Sequence, residues 1–263
     1  MIARKTWREI RLMTVAYTLL IEIMLVPAIL LWPKLRREVA TFERLMPMQT
    51  LKNMMRAIAD PDASGAYSAY MSAQMFFKGT NVVGIAGAVL FATALVARER
   101  ENGTLEFLLS RPYSRTRILL SKFLVVAVAL VVPIYLTSWT AIPLSTLVEE
   151  QLDFGTVTLA ATHASAFVVL FAALTLLCSV VARSQAHTAF AVGAFIVIQV
   201  AIYFIQEIRI ASLFQLSDFD VYGPILSGNR PFVSVFFGST VWLLVATAAI
   251  VAVAVAQFRR AEP

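Results

Sequence analysis

The sequence predicts an all-α integral membrane protein, on three observations. First, 59% of the 263 residues are hydrophobic and only 14% are charged, where a soluble domain carries about 25% charged residues. Second, the mean hydropathy is +0.77, and a chain this short has too little interior to hide so much apolar surface from water. Third, a membrane helix needs about 20 mostly apolar residues. Six stretches meet that length, near 13–32, 80–97, 119–143, 160–182, 187–206 and 233–257. A single membrane domain of six transmembrane helices spanning 1–263 follows. The first apolar run is too long for the core of a cleavable signal peptide.

Before the first span, "MIARKTWREIRLM" is amphipathic: Ile2, Ala3, Thr6, Trp7, Ile10 and Met13 share one arc of a helical wheel. Arg4, Lys5, Arg8 and Arg11 fall on the other. This pattern predicts an interfacial elbow helix over 1–12, with Trp7 down and the cations toward anionic headgroups. The alternative is a frayed start of the first span. The connection 33–79 is long, and "FERLMPMQTLKNMMRAIAD" within it has helical spacing, so one or two short helices on the outer surface are expected. Gly84, Gly87 and Ala88 are small enough to let helices approach closely. The segment "EIRIASLFQLSDFDVYGPILSGNRP" is too polar to span and too apolar for a free loop, so a helix or re-entrant turn at the outer interface is expected. Trp32, Trp139 and Tyr135, near the outer ends of spans, read as interfacial anchors.

The net charge of +6 does not point to nucleic acid, because the basic residues sit beside apolar spans. Their density is highest in the segments at 1–12, 98–118, 183–186 and 258–263, which places those segments and both termini in the cytosol. Cys178 lies alone in an apolar run, and His163 and His187 stand apart, so no disulfide framework and no metal site is expected. No G-x-x-x-x-G-K-[ST] run occurs, so the chain has no phosphate-cradling loop of its own and is not expected to be an enzyme. Glu22 falls near the middle of the first span, where a charge costs about 2.5–3.5 kcal/mol on insertion scales. Glu22 and Gln199 are candidates for a translocation path; Glu22 alternatively lies at a dimer seam or pairs with a polar neighbour such as Gln199.

Between the second and third spans lies "ARERENGTLEFLLSRPYSRTRILLSK", residues 97–122. Asn102 and Gly103 should end the preceding helix, Thr104 should cap a short helix "LEFLLS", Pro112 should stop it, and Ser114 should cap the next. Leu105, Leu108 and Leu109 share one face, while Phe107 points away, ringed by Glu101, Glu106, Arg111 and Arg115. The segment either just reverses the chain or offers Phe107 to the groove of a partner.

This stretch resembles the cytosolic coupling segment of ABC-2-type transporter permeases. Glu99 or Glu101, Gly103, Thr104, Leu105, Glu106, Leu108, Leu109, Ser110, Pro112, Ser114, Arg115, Ile118, Ser121 and Lys122 carry the likeness. The resemblance implies a permease of the cytoplasmic membrane that pairs with a second copy or a paralogue. It also implies that two cytosolic ATPase subunits, holding ATP and Mg, dock on a coupling helix formed here. Glu101, Gly103, Thr104, Leu105, Glu106, Phe107, Leu108, Arg111 and Arg115 are then the expected docking residues, and export is the expected direction. A vitamin-importer binding subunit or a membrane scaffold or immunity protein is the alternative class.

Overall fold

The computed structural model describes residues 2–45, 65–110 and 112–260, with the side chains of residues 39–45, Leu108 and Leu109 outside that description. The described residues are helical without strands, and six helices are long and apolar enough to cross a membrane. The chain is a multi-pass membrane protein. In chain order the helices are α1 (Ile2–Leu45), α2 (Ala66–Met71), α3 (Gly84–Thr93), α4 (Ala97–Glu101), α5 (Leu105–Leu109) and α6 (Arg115–Thr146). Then come α7 (Phe154–Val181), α8 (Gln185–Phe204), α9 (Phe219–Leu226), α10 (Phe232–Val235) and α11 (Val241–Arg260). Wide π-helical turns at Ser72–Val83 and Phe236–Thr240 join α2 to α3 and α10 to α11. The second span is thus α2 to α4 and the sixth is α10 to α11.

The first helix departs from the expected elbow. Residues 2–12 are continuous with the first span, as the opening turns of one 44-residue helix. The physical reason is a buried stripe, Thr6, Ile10, Thr14, Tyr17, Ile21, Leu25, Ile29 and Trp32, whose spacing of three or four keeps one phase from the first turn onward. The same neighbours therefore grip the helix at both ends, while Trp7, Leu12 and Met13 stay exposed. At about 1.5 Å per residue, the 44 residues reach about 66 Å, well past a hydrocarbon core of about 30 Å. The turns beyond Trp32 lie at the end of the bundle opposite the hairpin, called here the far end.

At that far end the second span also begins earlier than its hydropathy suggested. It starts at Ala66, because Tyr67, Tyr70, Met71, Met75 and Phe76 recur at helical spacing and bury against the bundle. Within 33–79, then, residues 33–45 extend α1 and 66–79 belong to the second span; the rest of the expected surface helices, 46–64, lies outside the described residues. Trp32 is not an interfacial anchor: it is buried on Tyr67 and Tyr70 and its indole N–H donates to Glu150 at 2.9 Å.

α7 is the central column, lined by Ala160, Ala161, Ala164, Ala172 and Ala173 and closed by Phe167 and Phe171, all buried. In lipid, apolar side chains gain nothing by leaving one apolar phase for another, so close packing of small residues has to hold such helices together. Gly84 and Gly87 show this directly. The Tyr17 ring lies where a Cβ on Gly87 would meet it at 3.2 Å, and its hydroxyl is 3.2 Å from the same point on Gly84. Hydroxyls inside the bundle are largely returned to their own helices, as in Thr14 to Ile10 O and Thr175 to Phe171 O.

The polar stretch after α8 re-enters the bundle. Two 3₁₀ turns, Arg209–Ala211 and Leu213–Ser217, lead into α9, whose Phe219, Tyr222, Ile225 and Leu226 are buried. Asp218 caps α9 by accepting from Phe219 N, and it is paired with Arg209 and with the Tyr203 hydroxyl at 2.7 Å. Burying this carboxylate is tolerable only with such partners.

Candidate functional site

The hairpin between the second and third spans is a built structure. The second span breaks at residues 94–96, and the backbone groups freed there find partners on other spans. Ser179 on α7 accepts from Val96 N and Ala97 N at 3.2 and 2.9 Å and donates to Thr93 O at 3.0 Å. Lys122 on α6 donates to Leu95 O at 2.9 Å. Such a break is affordable in a membrane helix because neighbours re-satisfy it.

After the break, α4 sends successive charges to different elements. Glu99, only 7% exposed, receives Lys122 Nζ at 2.9 Å and Lys5 Nζ at 3.1 Å on Oε1, and the Thr104 hydroxyl on Oε2. Arg100 donates to Val180 O at 3.0 Å and to Ala182 O, closing the end of α7. Glu101 accepts from Gln185 N at 3.2 Å at the start of α8. A five-residue helix thereby ties together the first, third, fourth and fifth spans.

Gly103, at φ +66, makes the turn that follows, in a conformation that penalises any Cβ. Thr104 then stands at the cap position of α5 without capping it. Its hydroxyl turns back to Glu99, and its N–H donates to Glu99 O at 2.9 Å. α5 presents two sides: Leu105 is buried, whereas Glu106 is exposed and Phe107 is 76% exposed. Ser110 closes the turn, its hydroxyl donating to Phe107 O at 3.0 Å. Ser114 caps α6 by accepting from Arg117 N.

The expected ring of charge around Phe107 is thinner than the sequence suggested. Glu101 is engaged by Gln185, and Arg115 donates to Phe258 O and Arg259 O, where it satisfies the last carbonyls of α11. Arg259 in turn donates to Thr116 Oγ1 at 2.9 Å. The expected docking residues Leu108 and Arg111 lie outside the described side chains. Of the expected membrane-surface residues, Arg4, Trp7, Arg8 and Arg11 are exposed, while Lys5 reaches inward to Glu99. The Glu99–Lys122 pair was not singled out from sequence as a site. Its signal was a lysine placed inside the apolar run "ILLSKFLVV", where a cation requires a partner.

Glu22 and Gln199 do not meet. The Thr140 hydroxyl lies 2.9 and 3.2 Å from the two Glu22 oxygens. Gln199 Oε1 accepts from Leu213 N at 2.8 Å, and its carbonyl from Ser212.

Six helices able to cross a membrane carry, at one end of the bundle, a short two-sided helix. The chain belongs to the ABC-2 transporter family: the profile described as "ABC-2 family transporter protein" matches residues 3–262, nearly its whole length. No curated protein matches the chain. Members of this family are the membrane components, not the ATPases, and associate with ABC ATPase subunits.

Proposed function

We propose that this chain is the membrane half of an ATP-driven exporter, in which a separate ATPase grips α5. The observation that carries the reading is α5 itself. Leu105 anchors it to the bundle while Phe107 stands 76% exposed, an aromatic of the kind enriched at protein interfaces. The hairpin end, rich in Arg and Lys, is the cytosolic side, and the far end faces outward. Two ATPases, each holding Mg and ATP, dock on two permease copies or on one copy and a paralogue. Their closure moves α5, and the spans switch access from inside to outside. The ATPase pair drives that switch because it binds the two permease states with different affinity. Glu22 and Gln199 are the proposed polar contacts along the path.

Purification of the tagged chain from its own membrane in mild detergent tests this. A P-loop ATPase is expected to accompany it in equal amount, and Glu106→Arg or Phe107→Ala is expected to lose the ATPase or to uncouple hydrolysis from transport. Intact coupling in both variants would remove the role given to α5.

A further inference from the structure

We propose that Glu99 is a positioning residue that makes α5 move as one body with the first helix and the third span. This rests on the docking role given above to α5. The second span is broken at residues 94–96, so the helical hydrogen-bond ladder does not carry a displacement of the hairpin into that span. A lever mounted on a broken helix pivots unless side chains hold it. The Glu99 carboxylate holds it from both oxygens: Oε2 takes the Thr104 hydroxyl at the foot of α5, and Oε1 takes Lys122 of the third span and Lys5 of the first helix.

Other side-chain ties leave α4, Arg100 to the Val180 and Ala182 carbonyls and Glu101 to Gln185 at the surface, but neither reaches the first helix, the third span or Thr104. The Glu99 and Lys122 side chains are 9% and 4% exposed, so water does not substitute there, and charge pairing is stronger in the less polar interior. The two lysines differ. Lys122 is also fixed by Leu95 O. Lys5 is half exposed and has a second carboxylate, Glu9 of its own helix, at 3.6 Å. The tie to the third span is the buried one, and the tie to the first helix is the more exposed one.

The test is a spin-label distance between Arg8→Cys and Ser110→Cys, both exposed positions, in a Cys178→Ala background. It is read on the purified permease–ATPase complex in nanodiscs, without nucleotide and after ATP–vanadate trapping. With Glu99 intact, a narrow distribution that does not shift on trapping is expected. Glu99→Gln is expected to double its width or more and make it shift, and Glu99→Asp to restore it. Lys5→Gln, at a half-exposed site that folding tolerates, is expected to widen it as well. It supplies the decision if Glu99→Gln does not fold. Distributions like that of the unmutated chain in both Glu99→Gln and Lys5→Gln would overturn the proposal. If no ATPase accompanies the unmutated chain, the docking reading fails, while the nucleotide-free widths of the permease alone still decide whether Glu99 fastens α5.

Discussion

Asn81 Nδ2 donates to the Ser217 carbonyl at 2.6 Å across 136 residues of chain. A carbonyl only accepts, so the amide nitrogen must face it, which leaves Oδ1 for the Tyr222 hydroxyl at 3.3 Å. His163 of the fourth span repeats the arrangement one residue earlier in the re-entrant segment, at Leu216. Its Nε2 lies 2.8 Å from Leu216 O and must be the protonated nitrogen, and Nδ1 faces Thr240 Oγ1 at 2.9 Å. Residues 216–217 are thereby pinned to the second and fourth spans, and through His163 to Thr240 of the sixth. These bonds hold a polar segment inside an apolar bundle, where an unpaired group has no water to turn to.

Asn81→Leu is expected to strip the Ser217 carbonyl of its donor and destabilise the protein by about 1–3 kcal/mol. Thermal unfolding in detergent reads the loss. Amide exchange locates it: protection should fall over residues 212–226 and hold over 97–110. An unchanged midpoint with unchanged exchange would show that the re-entrant segment is held by packing alone.

Close approach gives a second prediction. A Cβ on Gly84 would lie 2.6 Å from Val168 Cγ2 and 3.2 Å from the Tyr17 hydroxyl, and a β-branched valine has no spare rotamer to yield with. Gly84→Ala is expected to destabilise by about 1–3 kcal/mol through overpacking, against the roughly 1 kcal/mol that alanine gains in helix propensity. Gly193→Ala, with nothing within 4 Å, is expected to be neutral or slightly stabilising. The two midpoints, measured side by side in the same detergent, separate helix contact from propensity.

The spans and the hairpin were legible because each has a local cause. Long apolar runs become membrane helices, and Gly103, Pro112 and Ser114 punctuate the hairpin whatever surrounds it. What was not legible came from distant partners. The phase of the stripe from Thr6 to Trp32 extends α1 through the expected elbow, but a wheel over residues 2–13 alone also allows a helix lying on the membrane. Residues 66–79 were assigned to the outer connection, and what joins them to the second span is distant: Tyr67 and Tyr70 pack on Trp32 of the first helix. Thr104 had the composition of a cap, yet a buried carboxylate five residues earlier outcompeted the helix N–H groups for its hydroxyl. Glu99, the most connected charge of the hairpin, sits among four other residues of "ARERE" with no local mark to distinguish it.

Gly103 supplies a third prediction. Its φ of +66 is reached by other L-residues only at a penalty of roughly 1–2 kcal/mol, with asparagine the least affected. Gly103→Ala is therefore expected to tilt α5 or to unseat the Thr104–Glu99 bonds, lowering the amount of ATPase recovered with the permease. Gly103→Asn is expected to retain it. Equal recovery in both variants would show that the turn does not set the attitude of α5.

Glu22 is the one carboxylate between residues 13 and 32 of the first helix, half-exposed, with Thr140 as its neighbour. The Thr140 hydroxyl has a single proton and also lies 2.9 Å from Thr137 O, so it serves either the carboxylate or the carbonyl, and one hydroxyl is thin compensation for a charge near the bilayer centre. A surface that retains such a group must be wetted or covered by another subunit. The path reading selects the first. In a Cys178→Ala background, Glu22→Cys is expected to react with a membrane-impermeant maleimide added from the far side. Leu19→Cys and Ile23→Cys, 55% and 65% exposed on the same helix, are expected not to react, because lipid rather than water meets them. Labelling of all three would make this whole flank of the first helix water-lined, and labelling of none would leave Glu22 to the dimer seam or to its bond with Thr140.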